Sequence, residues 1–172
     1  MNIKIKKLNE NAVIPSQAKE GDFCYDVVAV SCKRVGWRTW EYGLGFAYEI
    51  DRKLENLGEF TVEGSDGQPA TFNMSIDFKN VPVKLDIDCR PRSSIWKTGM
   101  ILVNSTGTWD EFYRGEAKCV FYHFNIFKKK YKVGDRIGQI KLGITLPLTF
   151  KEVKKINMNT ERGQGGFGST GK

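Results

Sequence analysis

A few side chains have the types and spacing needed for chemistry on phosphate. Asp26 lies inside the apolar stretch EGDFCYDVVA (20–29), which suggests a buried acid oriented for work; a plain turn carboxylate is the ordinary alternative. In RPRSSIWKTGM (90–100), Arg92, Ser93 and Ser94 follow a proline-fixed turn. A guanidinium fork beside two hydroxyls and their backbone amides suits a phosphate group. NSTGTWDEFYRGE (104–116) reads as a hairpin with a turn at its head, presenting Asp110 near Tyr113. VGDRIGQI (133–140) reads as a tight turn into a strand, leaving Gln139 to orient a ligand or a water. The end, ERGQGGFGSTGK (161–172), contains Gly166, Gly171 and Lys172 at the G-x-x-x-x-G-K spacing of a P-loop. A P-loop works through the helix N-terminus behind it, and no residue follows Lys172 to form one. Singly, each stretch has a structural reading; their combination is the signal.

The elements that must position these groups are short strands. NIKIKKL, CYDVVAV, GLGFAYEI, TFNMSIDF, VKLDIDC, GMILVN, KCVFYHFNIF, RIGQIKLGI and LTFKEV are rich in β-branched and aromatic residues and mostly separated by Gly, Pro, Asn or Asp. DRKLENLGEF (51–60) offers at most one or two helical turns. Many strands without intervening helices predict an all-β, jelly-roll-like distorted barrel. At 172 residues a single domain is expected, spanning residues 1–160 and followed by a glycine-rich arm, 161–172, that orders only on binding. Residues 51–84 read as a hairpin or loop excursion from that barrel.

Composition narrows the chemistry. With His123 as the only histidine, placed in strand-like CVFYHFNIF, a Ser-His-Asp or Cys-His mechanism has little to stand on. Cys24, Cys32, Cys89 and Cys119 form no C-x-x-C pair and read as reduced and half-buried in a cytoplasmic protein, or a nuclear one in a eukaryote. No apolar run approaches the roughly 20 residues that cross a bilayer, and MNIKIKKLNE reads as a strand rather than a signal peptide. The net charge of +7 favours anionic partners. FKKKYK (127–132) reads as solvated surface, and the aromatics read as ordinary core, which makes nucleic acid the weaker partner.

Taken in order, PRSS, GTWDEFYRGE, GDRIGQ and above all RGQGGFGSTG closely resemble the motifs of the trimeric dUTPase family, the dUTP nucleotidohydrolases, with Asp26 matching the first-motif acid. The resemblance implies a jelly-roll homotrimer with active sites at subunit interfaces. It implies hydrolysis of dUTP to dUMP and pyrophosphate, keeping uracil out of DNA and supplying dUMP for dTMP synthesis. On this likeness Asp110 activates the water that attacks the α-phosphorus. Gln139 helps order phosphate and water, and Asp26 acts through waters of Mg²⁺, which is held by phosphate oxygens and not directly by protein. Arg92, Ser93 and Ser94 bind phosphate. Asn104 and Gly107 frame the uracil, and Tyr113 packs under the deoxyribose. In the arm, Arg162 grips the γ-phosphate, Phe167 stacks on the base, and Gly168, Ser169 and Thr170 add contacts to the phosphates.

Three departures stand beside the likeness. Trp109 replaces the usual Ile or Val before the acid. Ile95 and Trp96 replace Leu-Ala, a bulky change expected behind the site. Residues 51–84 read as an insertion, either a surface extension or a surface for a protein partner. Two alternatives therefore accompany the enzyme reading: a regulatory or protein-binding module of the same fold, and a related dCTP deaminase, against which the glycine-rich arm argues.

Overall fold

The computed structural model describes residues 2–54, 59–63, 68–73, 76–77, 80 and 82–161, and the described residues form fourteen strands with one short 3-10 turn, Ser93–Lys97. Two four-stranded antiparallel sheets make the body. The first runs β12 (Gly107–Asp110), β10 (Lys84–Arg90), β14 (Arg136–Thr145), β2 (Tyr25–Val28). The second runs β11 (Met100–Leu102), β13 (Lys118–His123), β4 (Thr39–Gly43), β3 (Ser31–Gly36). A third pair, β1 (Ile3–Lys7) with β5 (Phe46–Ile50), adds Phe46, Tyr48 and Ile50 to the core.

The pleat explains which residues face inward. In KLDIDCR, Leu85, Ile87 and Cys89 are buried while the intervening Asp86 and Asp88 lie on the outer face. KCVFYH does the same with Cys119, Phe121 and His123. Between the sheets, Tyr42, Phe121 and Tyr131 pack edge to face with centroids 5.3–6.3 Å apart, and the Tyr42 hydroxyl donates to the Tyr131 carbonyl at 2.9 Å. Each such ring contributes about 1.5–3 kcal/mol through burial. His123 is buried, and its Nε2 lies 2.9 Å from the Lys128 carbonyl, so it is a structural histidine.

Several expectations change. Among the described residues of DRKLENLGEF there is no helix: Lys53–Leu54 form β6 and Glu59–Glu63 form β7. TFNMSIDF is split between β8 (Pro69–Asn73) and β9 (Ile76–Asp77), with β6 pairing β9 and β7 pairing β8. LTFKEV is not a strand: no strand among the described residues pairs with it, and Leu148, Phe150 and Val153 are exposed. β13 ends at His123, so Phe124, Ile126 and Phe127 sit on an exposed loop rather than in the sheet. NSTGTWD is not a hairpin either. β11 belongs to one sheet and β12 to the other, so residues 103–106 carry the chain across the sandwich edge. Cys24 and Cys32 are half-buried as expected, but Cys89 and Cys119 are fully buried.

Candidate active site

The first cluster is built on β2 and β14, which pair so that Gln139 stands opposite Asp26. Asp26 is buried, with an arginine on each carboxylate oxygen: Arg92 Nε at 2.9 Å and Arg136 Nη1 at 3.0 Å. Arg136 and Gln139 are three residues apart and would point to opposite faces of a regular strand. The register shift between Arg136 and Gly138 inserts one extra residue, which changes the parity and lets both reach the Asp26 face. Arg92 arrives from the other side as the extended residue entering the 3-10 turn, its φ −70° and ψ 153° fixed by its place between Pro91 and Ser93. Ser94 is half-buried and Ser93 exposed at the start of that turn. Arg92 and Arg136 also wall an open cavity of about 440 Å³ whose other cations are Lys97, Lys129 and Lys130. Such a cavity attracts anions, because five cationic side chains share one concavity whose lining has a single acid, Asp135.

The second cluster lies where the chain crosses between the sheets. Asn104 and Gly107 line a cavity of about 280 Å³ with Cys89, Leu102 and Cys119. The crossing opens the sandwich edge, which is why a cavity exists there. Ser105 at the corner has φ +58°, a left-handed conformation costly for serine, and the Thr106 amide donates to the Asn104 carbonyl at 2.5 Å. A Cβ on Gly107 would meet the side-chain amide nitrogen of Asn104 at 3.4 Å, in van der Waals contact, which places the two residues side by side at the mouth. The two cysteine sulfurs at its base are 3.3 Å apart. The hydrogen bond with Cys89, reinforced by burial, pushes the Cys119 thiol well up, leaving it unreactive.

Asp110 ends β12 on the outer face, and its carboxylate is exposed. The structural bonds fall on its backbone: the Tyr48 hydroxyl donates to the Asp110 carbonyl at 2.6 Å and the Tyr113 amide at 3.0 Å. Burial pushes the Tyr48 phenol up, so it remains a donor. Trp109 is buried and stacks on Tyr48 at 6.0 Å, so the change before the acid repacks the core. Tyr113 is half-exposed, with its hydroxyl on the Glu116 carbonyl at 3.1 Å and its ring over Gly115, where a side chain would clash. Trp96, expected behind the site, instead lies on the surface, because the 3-10 turn directs it outward beside Lys97 and Lys128.

Sequence reasoning missed three features. The signal for Arg136 was its place three residues before Gln139, but only the bulge reveals its direction. Asp86, opposite Asp110 on β10, is pushed up chiefly by burial and then by Asp88, so the strand beside Asp110 carries a row of acids. Glu111, next to Asp110, is buried in a two-pronged pair with Arg52 at 2.5 and 2.7 Å. The Arg52 hydrogen bond holds the Glu111 carboxyl below its ordinary 4.5. Arg52 also donates to the Val83 carbonyl, so it ties both ends of the 51–84 segment to the strand bearing Asp110.

Breaking this pair by Arg52→Ala leaves a buried carboxylate and costs about 3 kcal/mol, roughly 6–12 °C in Tm. A lowered folded pKa gives stability that is present above the ordinary glutamate value and lost as pH falls through the folded one. The gap between wild type and variant therefore narrows in acid. Thermal melts at pH 7 and pH 4 check this; a gap that widens in acid contradicts it.

The structure joins Asp26, Arg92 and Gln139 in one place, and Asn104, Gly107, Asp110 and Tyr113 in another. Gly107, opposite Cys89, comes within roughly 10 Å of Gln139, but Asp110 is not joined to the phosphate cluster. Asp110 pairs with Asp86, whereas Gln139 pairs with Arg90, four residues along β10. Four residues along and two strands across put the Asp110 and Gln139 Cα atoms roughly 17 Å apart, and Asp26 a further strand away at roughly 20 Å. Arg162, Phe167, Gly168, Ser169 and Thr170 lie outside the described residues.

A family model described as dUTPase matches residues 60–171, well over half of the chain and including Arg92, Asp110 and Gln139. The chain belongs to the dUTPase family. Among curated relatives, the deoxyuridine 5′-triphosphate nucleotidohydrolase of Clostridium novyi is 32% identical over 99% of both chains, and that of Clostridium acetobutylicum 29% identical over 99% of this chain and 97% of its own. Since these dUTPases align nearly end to end, the length of the 51–84 segment does not set this chain apart. Among solved structures, a dUTPase variant of Staphylococcus bacteriophage 80alpha with dUpNHpp has a TM-score of 0.61 at 19% identity, covering 99% of this chain and 98% of that one. A dUTPase variant of phage phi11 of S. aureus, described for its structural Mg(II) ion, gives 0.59 at 15% identity over 91% and 99%. These last two likenesses concern the dUTPase fold.

Proposed function

We propose that this dUTPase hydrolyses dUTP to dUMP and pyrophosphate in sites shared between copies of the chain. The observation that carries this reading is the exposed Asp110 carboxylate on the strand leaving the Asn104–Gly107 cavity, with its backbone already pinned. The cavity takes the uracil: Asn104 and the corner amides offer a hydrogen-bonding edge, and the narrow mouth at Gly107 leaves little room for a thymine methyl. Tyr113 packs under the deoxyribose. Asp110, with no structural duty for its carboxylate, accepts a proton from the attacking water. Arg92 and Arg136, held by Asp26, present guanidinium edges to phosphate, with Ser93, Ser94 and Gln139 beside them. Arg162 and Phe167 close over the γ-phosphate and base.

A general base must lie within hydrogen-bond reach of its water, directly or through one more water. An Asp110 some 17 Å from Gln139 cannot serve the phosphates its own chain holds; another copy closes that gap. The exposed Leu146, Leu148, Phe150, Ile156 and Met158 in the segment after β14 support such an assembly, since they leave apolar surface for a second chain to cover. A homotrimer is the assembly proposed.

Mg²⁺ fits this site as a phosphate-held ion. Among the described residues no group of three or more His, Cys, Asp or Glu side chains could hold a metal. Each Asp26 oxygen keeps a lone pair beyond its arginine, which suits a water of the ion's hydration shell. When bound, the ion neutralises triphosphate charge and orients the phosphates. No observation favours the deaminase or a purely regulatory module. Pyrophosphate release assayed in parallel from dUTP, dCTP, dTTP and UTP tests the proposal. Release from dUTP at least about 100-fold faster than from the others is expected; equal rates would sink the uracil-pocket reading.

A further inference from the structure

A second unusual surface begins beside the phosphate cluster and shares with it the cavity walled by Arg92 and Arg136. Trp37 and Trp96 are each 67% exposed and Phe127 is 96% exposed, although large rings on a soluble surface are normally covered. They stand on three separate loops: the β3–β4 turn, the 3-10 turn and the β13–β14 loop. The loops are neighbours, because the His123 amide donates to the Arg38 carbonyl, the Asn125 amide to the Gly99 carbonyl and Lys128 Nζ to the Trp96 carbonyl. Cations accompany the rings. Arg38 lies 4.3 Å over Trp37, and Lys97 and Lys128 lie 5.4 and 5.7 Å over Trp96. Residues 124–134 contain no acid. Between the loops runs a groove of about 570 Å³ lined by Arg38, Phe124, Ile126 and Phe127, and beyond Trp96 lies the basic cavity with Lys97, Lys129 and Lys130.

We propose that this face binds single-stranded nucleic acid. Exposed rings beside a basic groove can stack unpaired bases on the face that their cation leaves uncovered, while the cations follow the phosphates. A duplex keeps its bases stacked and cannot use the rings. An anionic membrane would want a protruding apolar tip, whereas this surface is concave. A second copy docking here face to face would bring lysines against lysines. The rings expected in the core are therefore a stacking platform, and the +7 charge gains a partner of matching chemistry.

The test uses the full chain and a fluorescein-labelled oligothymidylate of about 20 nucleotides, read by anisotropy at low salt. Binding should be tighter than to a duplex of equal length and should weaken about 50-fold between 50 and 200 mM salt if four phosphates are neutralised. A Trp37→Ala/Phe127→Ala variant, with both residues outside the catalytic machinery, should bind about tenfold or more weakly while dUTP turnover stays within twofold. Absence of oligothymidylate binding would overturn the proposal. So would equal affinity for duplex together with indifference to the ring substitutions, which would mean charge alone. Binding to vesicles rich in anionic phospholipid but not to oligothymidylate would assign the face to a membrane. A variant of lower oligomeric state than wild type in sedimentation would assign it to contacts between copies.

Discussion

Replacing Asp110 by Asn should lower kcat for dUTP about a thousandfold while leaving the fold and the affinity for a non-hydrolysable analogue nearly unchanged. Asp110 divides its roles between backbone and side chain. Its carbonyl receives the Tyr48 hydroxyl and the Tyr113 amide, and both bonds survive the substitution. Its carboxylate is exposed on the outer face and is free to take a proton. An amide of the same shape cannot, and loss of a general base removes about 10²–10⁴ in rate. The measurement is single-turnover pyrophosphate release beside a binding titration and a thermal melt. A variant that melts 10 °C lower would show that the carboxylate has a structural duty; one that retains a tenth of the rate would take the base role away from Asp110.

The strands that bury one face were legible because alternation is visible in the letters. KLDIDC places Leu85, Ile87 and Cys89 inward at every second position, and KCVFYH does the same with Cys119, Phe121 and the polar His123. SCKRVG and TWEYG were not recognised. β3 is exposed along nearly its whole length, so it carries no alternation, and its pairing is set by β4 and not by its own residues. LTFKEV shows the reverse failure. Its alternation is real, but a strand also needs a partner ladder, and the described chain supplies none. FNIF extended a genuine strand by hydrophobicity alone, and those residues proved to be surface.

In the site, the burial of Asp26 was suggested by the apolar stretch around it, of which Val27 is buried but Tyr25 is exposed. Its second arginine could not be read, because one extra residue in β14 reverses which side chains share a face, and a bulge leaves little trace in RIGQI. The corner at residues 103–106 was read as a hairpin since Asn-Ser-Thr-Gly is ordinary turn chemistry. Local sequence does not say whether the next strand returns to the same sheet or crosses to the other. That distinction matters, because crossing opens the cavity beside Asn104 and Gly107. The pairing of Arg52 with Glu111 joins residues 59 apart and had no local signal.

On the proposed reading, each site takes Asp110 from one copy and Arg92 from another. Asp110→Asn chains lack the base but keep the phosphate cluster; Arg92→Gln chains lack a phosphate guanidinium but keep the base. Each alone should be nearly inactive. If the two groups belong to different copies, coexpressing the variants creates sites that hold one intact partner from each. Random mixing puts an intact Asp110 opposite an intact Arg92 in about a quarter of sites. The direct measurement is therefore dUTP turnover by the purified mixed assembly, compared with each variant alone. Recovery to about a quarter of the wild-type rate is the expected result. A mixed assembly no more active than its parents would mean that both groups act within one chain, and the shared-site account would be wrong.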